Sequence, residues 1–339
     1  SLAWTQPGWL DQVSGWIETA LAREGLIITG AKETVHEEQG SIVLRVPTDA
    51  GDFYFKACAP VLAHEVGITR ALYHWRPDCI PAVLQVDTKQ GWLLLADGGQ
   101  TLRQAFAGRN DHDAMSNGQA VATIDTWDAV LALYADLQID LAGHVDELLQ
   151  LGTPDRRLAL LPDLYQGLLA DKEWLLIDQT DGLTEAEYER LLDATPQVSA
   201  LCRQLASYNI PMSLHHNDLH DANIFYVGSQ PLFFDWGDSS LSHPFFSLRT
   251  VFVIIEYSFS LDEGDPFFDD LAQAYLQPWT VMATIEDLTA AFKLARRLWA
   301  ISSAVKYKRQ LRHLPALREE YGSAVPGLLQ EFLAANPQF

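Results

Sequence analysis

The segment from Ser213 to Asp238 constrains this chain more than any other. It contains His216-Asn217-Asp218-Leu219-His220-Asp221-Ala222-Asn223, the apolar run Ile224-Phe225-Tyr226-Val227, the turn Gly228-Ser229-Gln230-Pro231, a second run Leu232-Phe233-Phe234, and Asp235-Trp236-Gly237-Asp238. Two short apolar runs around a glycine-containing turn signal a β-hairpin. A hairpin brings the residue just before its first strand, Asn223, and the residue just after its second, Asp235, to the same open end. Asp218 lies five residues before Asn223, across a loop. Two carboxylates and an amide oxygen can therefore converge. Oxygen donors of this kind suit Mg²⁺, which keeps several waters and binds substrate phosphates. A carboxylate beside such ligands can orient and deprotonate a hydroxyl. Singly, Asp218 or Asn223 is as well explained as a turn or cap residue; the spacing of the set makes the chemical reading.

The flanks divide into two regimes. Trp9, Leu10, Val13, Trp16, Ile17, Ala20 and Leu21 recur at helical spacing, with Gly25 as a stop signal, so a helix is expected over Trp9–Arg23. Strands follow at Ser41–Val46 and Phe53–Lys56 around a turn at Pro47–Asp52, then a helix over Val61–Trp75 and strands at Ala82–Val86 and Trp92–Ala96. Asp97-Gly98-Gly99 breaks the pattern, which places the domains at 1–97 and 98–339. Beyond it, helical periodicity covers Ala120–Leu141, Glu185–Tyr208, Phe267–Tyr275 and Ile285–Leu311. In Phe53-Tyr54-Phe55-Lys56, a period of two puts Lys56 and Tyr54 on one face and both phenylalanines on the other. Glu65 lies nine residues on, in the next helix, which makes Lys56–Glu65 a candidate ion pair. A lone strand lysine is more often a solvated edge residue; the downstream motif reverses that reading.

Composition bounds the partners. A chain of 339 residues that is 48% hydrophobic and 20% charged is globular and long enough for two lobes. Its 23 basic and 45 acidic residues give a net charge of −22, which disfavours nucleic acid and anionic membrane as partners. Three cysteines, Cys58, Cys79 and Cys202, form no CxxC or zinc spacing, in keeping with a reducing compartment. The start lacks the pattern of a signal peptide, and the most apolar run, Val251–Ile255, is stopped by Glu256. A soluble, cytoplasmic protein is expected.

His216, Asp218, His220, Asn223 and Asp235 resemble the H-x-D-x-H-x-x-N signature, hairpin and metal-binding aspartate of the aminoglycoside phosphotransferase and choline kinase family, a small-molecule branch of the protein-kinase-like fold. The resemblance covers about residues 26 to 336. It implies an α+β, bilobal, kinase-like fold: a small β-rich N-lobe, a larger mostly helical C-lobe, and nucleotide between them. By the same resemblance Asp218 is the catalytic base and Asn223 and Asp235 hold Mg²⁺ against the phosphates of ATP or GTP. Lys56 contacts phosphate and Glu65 orients it. Gly40 and Ser41, in His36-Glu37-Glu38-Gln39-Gly40-Ser41, stand where a phosphate-covering loop is expected, without a GxGxxG pattern. Main-chain groups of Leu95, Ala96 and Asp97 would meet the purine. His216 and His220 read as struts of the catalytic loop rather than proton carriers.

The acceptor is the least readable part. Asp238, Glu256 and the acidic run Asp262-Glu263-Gly264-Asp265 to Asp270 could bind a substrate amine, or form a solvated loop and helix start. Trp127, Tyr134, Trp299 and Tyr307 carry core spacing. Two departures matter. Ser247 stands where relatives commonly carry a loop-bracing Asp, which puts that support in question. Trp236-Gly237-Asp238 replaces the protein-kinase Phe-Gly, and no Ala-Pro-Glu follows, which favours a small-molecule kinase. The expected function is transfer of the γ-phosphoryl group to a hydroxyl of a small molecule: an aminoglycoside, sugar, amino-sugar or amino-alcohol. The alternative is a catalytically silent nucleotide-binding regulatory module.

Overall fold

A computed structural model of the chain describes residues 2–106, 119–262 and 264–339, with backbone alone for 119–124. The elements in chain order begin with α1 (Trp9–Arg23), β1 (Glu33–Glu37), β2 (Ser41–Thr48), β3 (Gly51–Cys58), α2 (His64–Trp75), β4 (Val83–Asp87), β5 (Trp92–Ala96) and α3 (Leu102–Phe106). Helices then dominate: α4 (Gln119–Leu141), α5 (Val145–Gln150), α6 (Leu161–Ala170), α7 (Glu185–Asp193) and α8 (Thr195–Ala206). Short strands β6 (Ser213–His215), β7 (Ile224–Val227), β8 (Gln230–Phe233) and β9 (Ser240–Ser242) interrupt them. The chain closes with α9 (Leu248–Phe259), α10 (Pro266–Leu276), α11 (Ile285–Arg296), α12 (Trp299–His313), α13 (Arg318–Tyr321) and α14 (Ala324–Ala334). These group into two compact units. One comprises Ser1–Ala105, Leu151–Thr153 and Asp221–Asp238; the other comprises Phe106–Gln150, Pro154–His220 and Ser239–Phe339.

The first unit is built on an antiparallel five-stranded sheet of order β1-β2-β3-β5-β4. Phe55 is fully buried and has Trp9, Trp16 and Trp92 around it, with ring centroids 6.2, 5.8 and 5.9 Å away. Val13, Ile17 and Leu21 of α1 complete this core. Truncating such a ring to alanine costs about 3–5 kcal/mol. The core fixes which way β3 faces: Phe53, Phe55 and Ala57 are buried, so alternation turns Tyr54 and Lys56 to the other side. Register pairs Lys56 with Val43 of β2 and Leu93 of β5, so Lys56 sits on a strand hydrogen-bonded on both sides.

Two local features differ from expectation. Strand β2 runs through Pro47 to Thr48, because β1 ends opposite Arg45 and leaves no ladder bond for the missing proline N–H; the Pro47 carbonyl accepts from Thr29 N–H at 3.0 Å. The segment read as phosphate loop is partly strand: His36 and Glu37 belong to β1, all five residues of which are exposed. An edge strand with both faces wet carries no alternation to find.

The β7–β8 hairpin pairs Ile224 with Phe233 and Val227 with Gln230. Gly228 and Ser229 take φ of +58° and +68°, the left-handed pair that a tight two-residue hairpin turn requires. Phe225 and Phe234 stack at 4.0 Å. Gly98 has to be glycine: a Cβ there would lie 2.1 Å from the Phe225 ring.

The second unit is helical around α12, whose buried residues include Trp299, Ile301, Ala304 and Leu311 and which packs on α6 and α14. Two helices expected as continuous are broken. Glu185–Tyr208 divides at Ala194, where Pro196 opens α8; proline suits a first turn and not an interior. Ile285–Leu311 divides at Arg297–Leu298. Strands β6 and β9 pair antiparallel, His215 opposite Ser240. Among the described residues no helix is long and apolar enough to cross a membrane.

Candidate active site

In the first unit Lys56 is the hub. Its Nζ lies 2.8 Å from Glu65 Oε1 and 2.8 Å from Asp235 Oδ1. Burial alone would pull the ammonium down, but the Asp235 and Glu65 carboxylates outweigh it and hold it well above its ordinary value. Glu65 is itself 2% exposed, and burial raises its carboxyl against the opposing pull of Lys56. Its second oxygen accepts from the Cys58 thiol at 3.3 Å. Burial and the Glu65 charge push that thiol well up, so Cys58 stays protonated and acts as a donor.

Asn223 and Asp235 flank the hairpin. Register puts Asn223 opposite Phe234, with the Phe234 N–H donating to the Asn223 carbonyl at 3.2 Å, so both residues stand at its open end. Asn223 is buried, and Asp235 keeps 45% of its side chain exposed. Asp235 takes φ +64°, unusual for a residue other than glycine. Such backbone persists where the surroundings impose it and concentrates at functional positions. Gly237 lies against Glu65: a Cβ there would stand 3.0 Å from Oε2. Asp221, just ahead of Asn223, pairs with Arg103 at 2.8 Å. Among the described residues no group of three or more His, Cys, Asp and Glu side chains is arranged to hold a metal. The candidate donors, the Asn223 amide oxygen and the Asp235 carboxylate, are a small oxygen set that fits a cation retaining most of its waters.

The remaining nucleotide candidates are placed as follows. Gly40 and Ser41 lie at the β1–β2 turn, where the Gly40 carbonyl accepts from Ala59 N–H at 2.8 Å and the Ser41 carbonyl from Glu38 N–H at 2.9 Å. Leu95 and Ala96 end β5 and Asp97 follows. The Ala96 N–H already donates to Ala82 at 2.9 Å and the Asp97 N–H to Asp52 at 3.1 Å.

In the second unit Asp218 sits between two histidines of the loop. His220 Nε2 is 3.3 Å from its Oδ2. Burial works to raise the Asp218 carboxyl, but the His220 hydrogen bond and the Lys306 charge hold it well below the usual carboxylate range. Behind the loop is a buried network that sequence reasoning missed. Tyr134 OH accepts from His216 N–H at 3.1 Å and lies 3.3 Å from Ser247 Oγ. Gln138 Nε2 donates to the Leu214 carbonyl at 2.8 Å and to Ser247 Oγ at 3.1 Å. Tyr275 OH donates to Gln138 Oε1 and sits 2.9 Å from the Pro244 carbonyl. Ser247 thus joins a brace made by side chains of two helices, α4 and α10. The separation of Tyr134 and Gln138 by four residues was the available signal.

Of the acceptor candidates, Asp238 is half-buried in the first unit and Glu256 exposed in the second. Asp265 caps α10 through Phe267 N–H, and Glu263 lies outside the described residues. Trp127, Tyr134 and Trp299 are core residues; Tyr307 stacks on Tyr321.

A sequence-family model described as the phosphotransferase enzyme family matches residues 41–285. The chain belongs to this family. It is therefore a phosphotransferase that uses an alcohol group as acceptor. Solved structures of the same fold include a putative aminoglycoside phosphotransferase from Ralstonia eutropha JMP134, 12% identical, TM-score 0.58, covering 96% of this chain and 98% of that one. Choline kinase LicA from Streptococcus pneumoniae is 12% identical, TM-score 0.56, covering 97% and 100%. Plasmodium vivax ethanolamine kinase is 11% identical, TM-score 0.54, covering 90% and 82%. No curated protein sequence matches the chain significantly. The family's α+β kinase-like fold accounts for the sheet-based first unit and the helical second.

Proposed function

We propose that the chain transfers the γ-phosphoryl group of ATP or GTP to a hydroxyl of a small molecule, with Asp218 as base and Mg²⁺ held by Asn223 and Asp235. The observation that carries this reading is Lys56, held 2.8 Å from both Glu65 and Asp235. Phosphoryl transfer needs a fixed cation beside a metal-binding carboxylate, since the migrating group is anionic and its transition state is loose. Asn223 and Asp235 would hold Mg²⁺, whose charge would neutralise the phosphates. Glu65 holds the Lys56 ammonium in place, and the Cys58 thiol holds Glu65.

Asp218 is a weak base in its resting state, because its carboxyl is held low. Its first task is to accept the hydrogen bond of the acceptor hydroxyl and aim the oxygen; the proton follows as the new bond forms. His220 keeps the carboxylate oriented. At the strand end Leu95–Asp97, purine contact falls to carbonyl oxygens, since the Ala96 and Asp97 N–H groups are already committed. Gly40 and Ser41 are the proposed phosphate-side main-chain contacts. Asp238 and Glu256 are the first carboxylates to test against a cationic acceptor such as an amino-alcohol or amino-sugar.

The test is Mg²⁺-dependent ADP or GDP release against separate pools of aminoglycosides, sugars, amino-sugars and amino-alcohols. Stimulation by one pool, lost by about 10²–10⁴-fold in Asp218→Asn, is expected. Stimulated release that Asp218→Asn leaves unchanged would remove Asp218 from its role. Nucleotide binding without release from any pool would instead support a silent regulatory module.

A further inference from the structure

Lys306 lies in the middle of α12 and is 5% exposed. Lysine is almost never buried without partners, because its ammonium loses its hydration there. The Lys306 Nζ donates to the carbonyl oxygen of Asn217 at 3.2 Å. It also lies 4.4 Å from the centre of the Tyr307 ring, within cation–π range.

Asn217 immediately precedes Asp218 and stands at φ +66°. Asparagine tolerates this region better than most residues, yet it keeps the conformation only where neighbours hold it. Two neighbours do so from opposite chemical ends. Ser240 Oγ accepts from the Asn217 side-chain amide at 2.7 Å, and Lys306 holds the Asn217 carbonyl. That carbonyl belongs to the planar peptide whose N–H is that of Asp218. Fixing it fixes the direction in which Asp218 leaves the loop. The same ammonium is one of the charges that hold the Asp218 carboxyl low. The roles of Lys56, Glu65, Asn223 and Asp235 leave Lys306 unused.

We propose that Lys306 is a positioning residue for phosphoryl transfer: its buried ammonium clamps the peptide between Asn217 and Asp218 and so aims the Asp218 carboxylate at the acceptor hydroxyl. The inference rests on the role given to Asp218 above. Misaiming a reacting group by about 1 Å can cost 10²-fold in rate with little change in binding. A packing residue would instead change stability and leave the turnover of the folded fraction alone.

The test compares Lys306→Met, which keeps the length and removes both donor and charge, with Lys306→Gln, which keeps a donor without charge. Mg²⁺-dependent ADP release from ATP is measured, with the most active acceptor pool or with water as acceptor. ATP affinity and the thermal midpoint are measured on the same samples. The expected result is a kcat lower by roughly 30- to 100-fold in Lys306→Met and less in Lys306→Gln, with ATP affinity within about twofold of wild type. If Lys306→Met does not fold, Lys306→Gln gives the same reading. Turnover lost in Asp218→Asn but kept in both Lys306 variants overturns this inference alone. Losses that only track the folded fraction also overturn it. Wild-type turnover that survives Asp218→Asn, or no wild-type turnover at all, overturns the reading beneath it.

Discussion

At the scale of single residues, the Lys56–Glu65–Cys58 cluster depends on one missing methyl group. Glu65 Oε2 is fixed by the Cys58 thiol, and Gly237 passes so close that a Cβ would stand 3.0 Å away. That separation is tighter than ordinary contact, and the carboxylate cannot swing aside without giving up Cys58 or Lys56. Gly237→Ala should therefore displace Glu65 and loosen Lys56, while the fold loses only about 1–2 kcal/mol of overpacking strain. The expected outcome is a three- to tenfold weaker affinity for Mg²⁺-ATP with a small fall in thermal midpoint. Isothermal titration of both proteins decides it; equal affinities would mean Glu65 has slack that these contacts do not suggest. Of this cluster, period-two alternation reveals the direction of Lys56, and its pairing with Glu65 is suggested by the helix that follows. The thiol and the glycine are invisible in sequence, because each acts through close approach and not through a repeating pattern.

At the scale of elements, the loop that carries Asp218 is supported by helices distant in sequence. Helix α4 supplies Tyr134 and Gln138, α10 supplies Tyr275, and Ser247 Oγ accepts from Gln138 Nε2 and lies beside Tyr134 OH. Tyr134→Phe keeps the ring and removes the oxygen that accepts from His216 N–H. Removing one partner of a buried hydrogen bond costs about 1–3 kcal/mol, since the other group loses water without compensation. A thermal midpoint lower by several degrees is expected, with turnover reduced more than ATP affinity. Thermal melting and steady-state kinetics on the variant test this, and an unchanged midpoint would assign the brace elsewhere. Sequence spacing correctly marks Tyr134 as a core residue and says nothing of its hydroxyl. The same limit explains the missed strand β1, whose exposed Glu33–Glu37 has no buried face to leave a period. It also explains the two helices read as one across Ala194: helical apolar spacing continued through Pro196, and the proline outweighed it.

At the scale of the whole molecule, the units interleave along the chain. Residues 221–238 and 151–153 group with the first 105 residues, and no linear pattern marks that membership. Global stability depends on buried groups whose titration a sequence cannot reveal. His243 is fully buried; its Nδ1 accepts from Phe245 N–H at 3.3 Å, and its ring packs on Phe245 and Phe246. Burial lowers its pKa to about 3. In the unfolded chain the ring titrates near 6.5, so above that pH it is neutral in both states and stability is unaffected. Below it the unfolded chain takes up a proton that the folded chain refuses, and stability falls until the pH reaches about 3. At pH 5 that is 1.5 pH units, or about 2 kcal/mol from this one residue. His215, lowered by burial and by Arg156 and Lys306, adds in the same direction. Relief of self-repulsion from the net charge of −22 opposes the trend, but most carboxylates titrate near pH 4, so the histidines should win between pH 6.5 and 5. The thermal midpoint should drop on the order of 5 °C over that interval. His243→Asn keeps an acceptor for Phe245 N–H and has no titrating ring. Its midpoint should start lower at pH 7.5, from lost packing, and then decline less steeply. Melting curves of both proteins from pH 7.5 to 5 test the argument, and parallel declines would show that His243 takes up its proton as readily in the folded state as in the unfolded one.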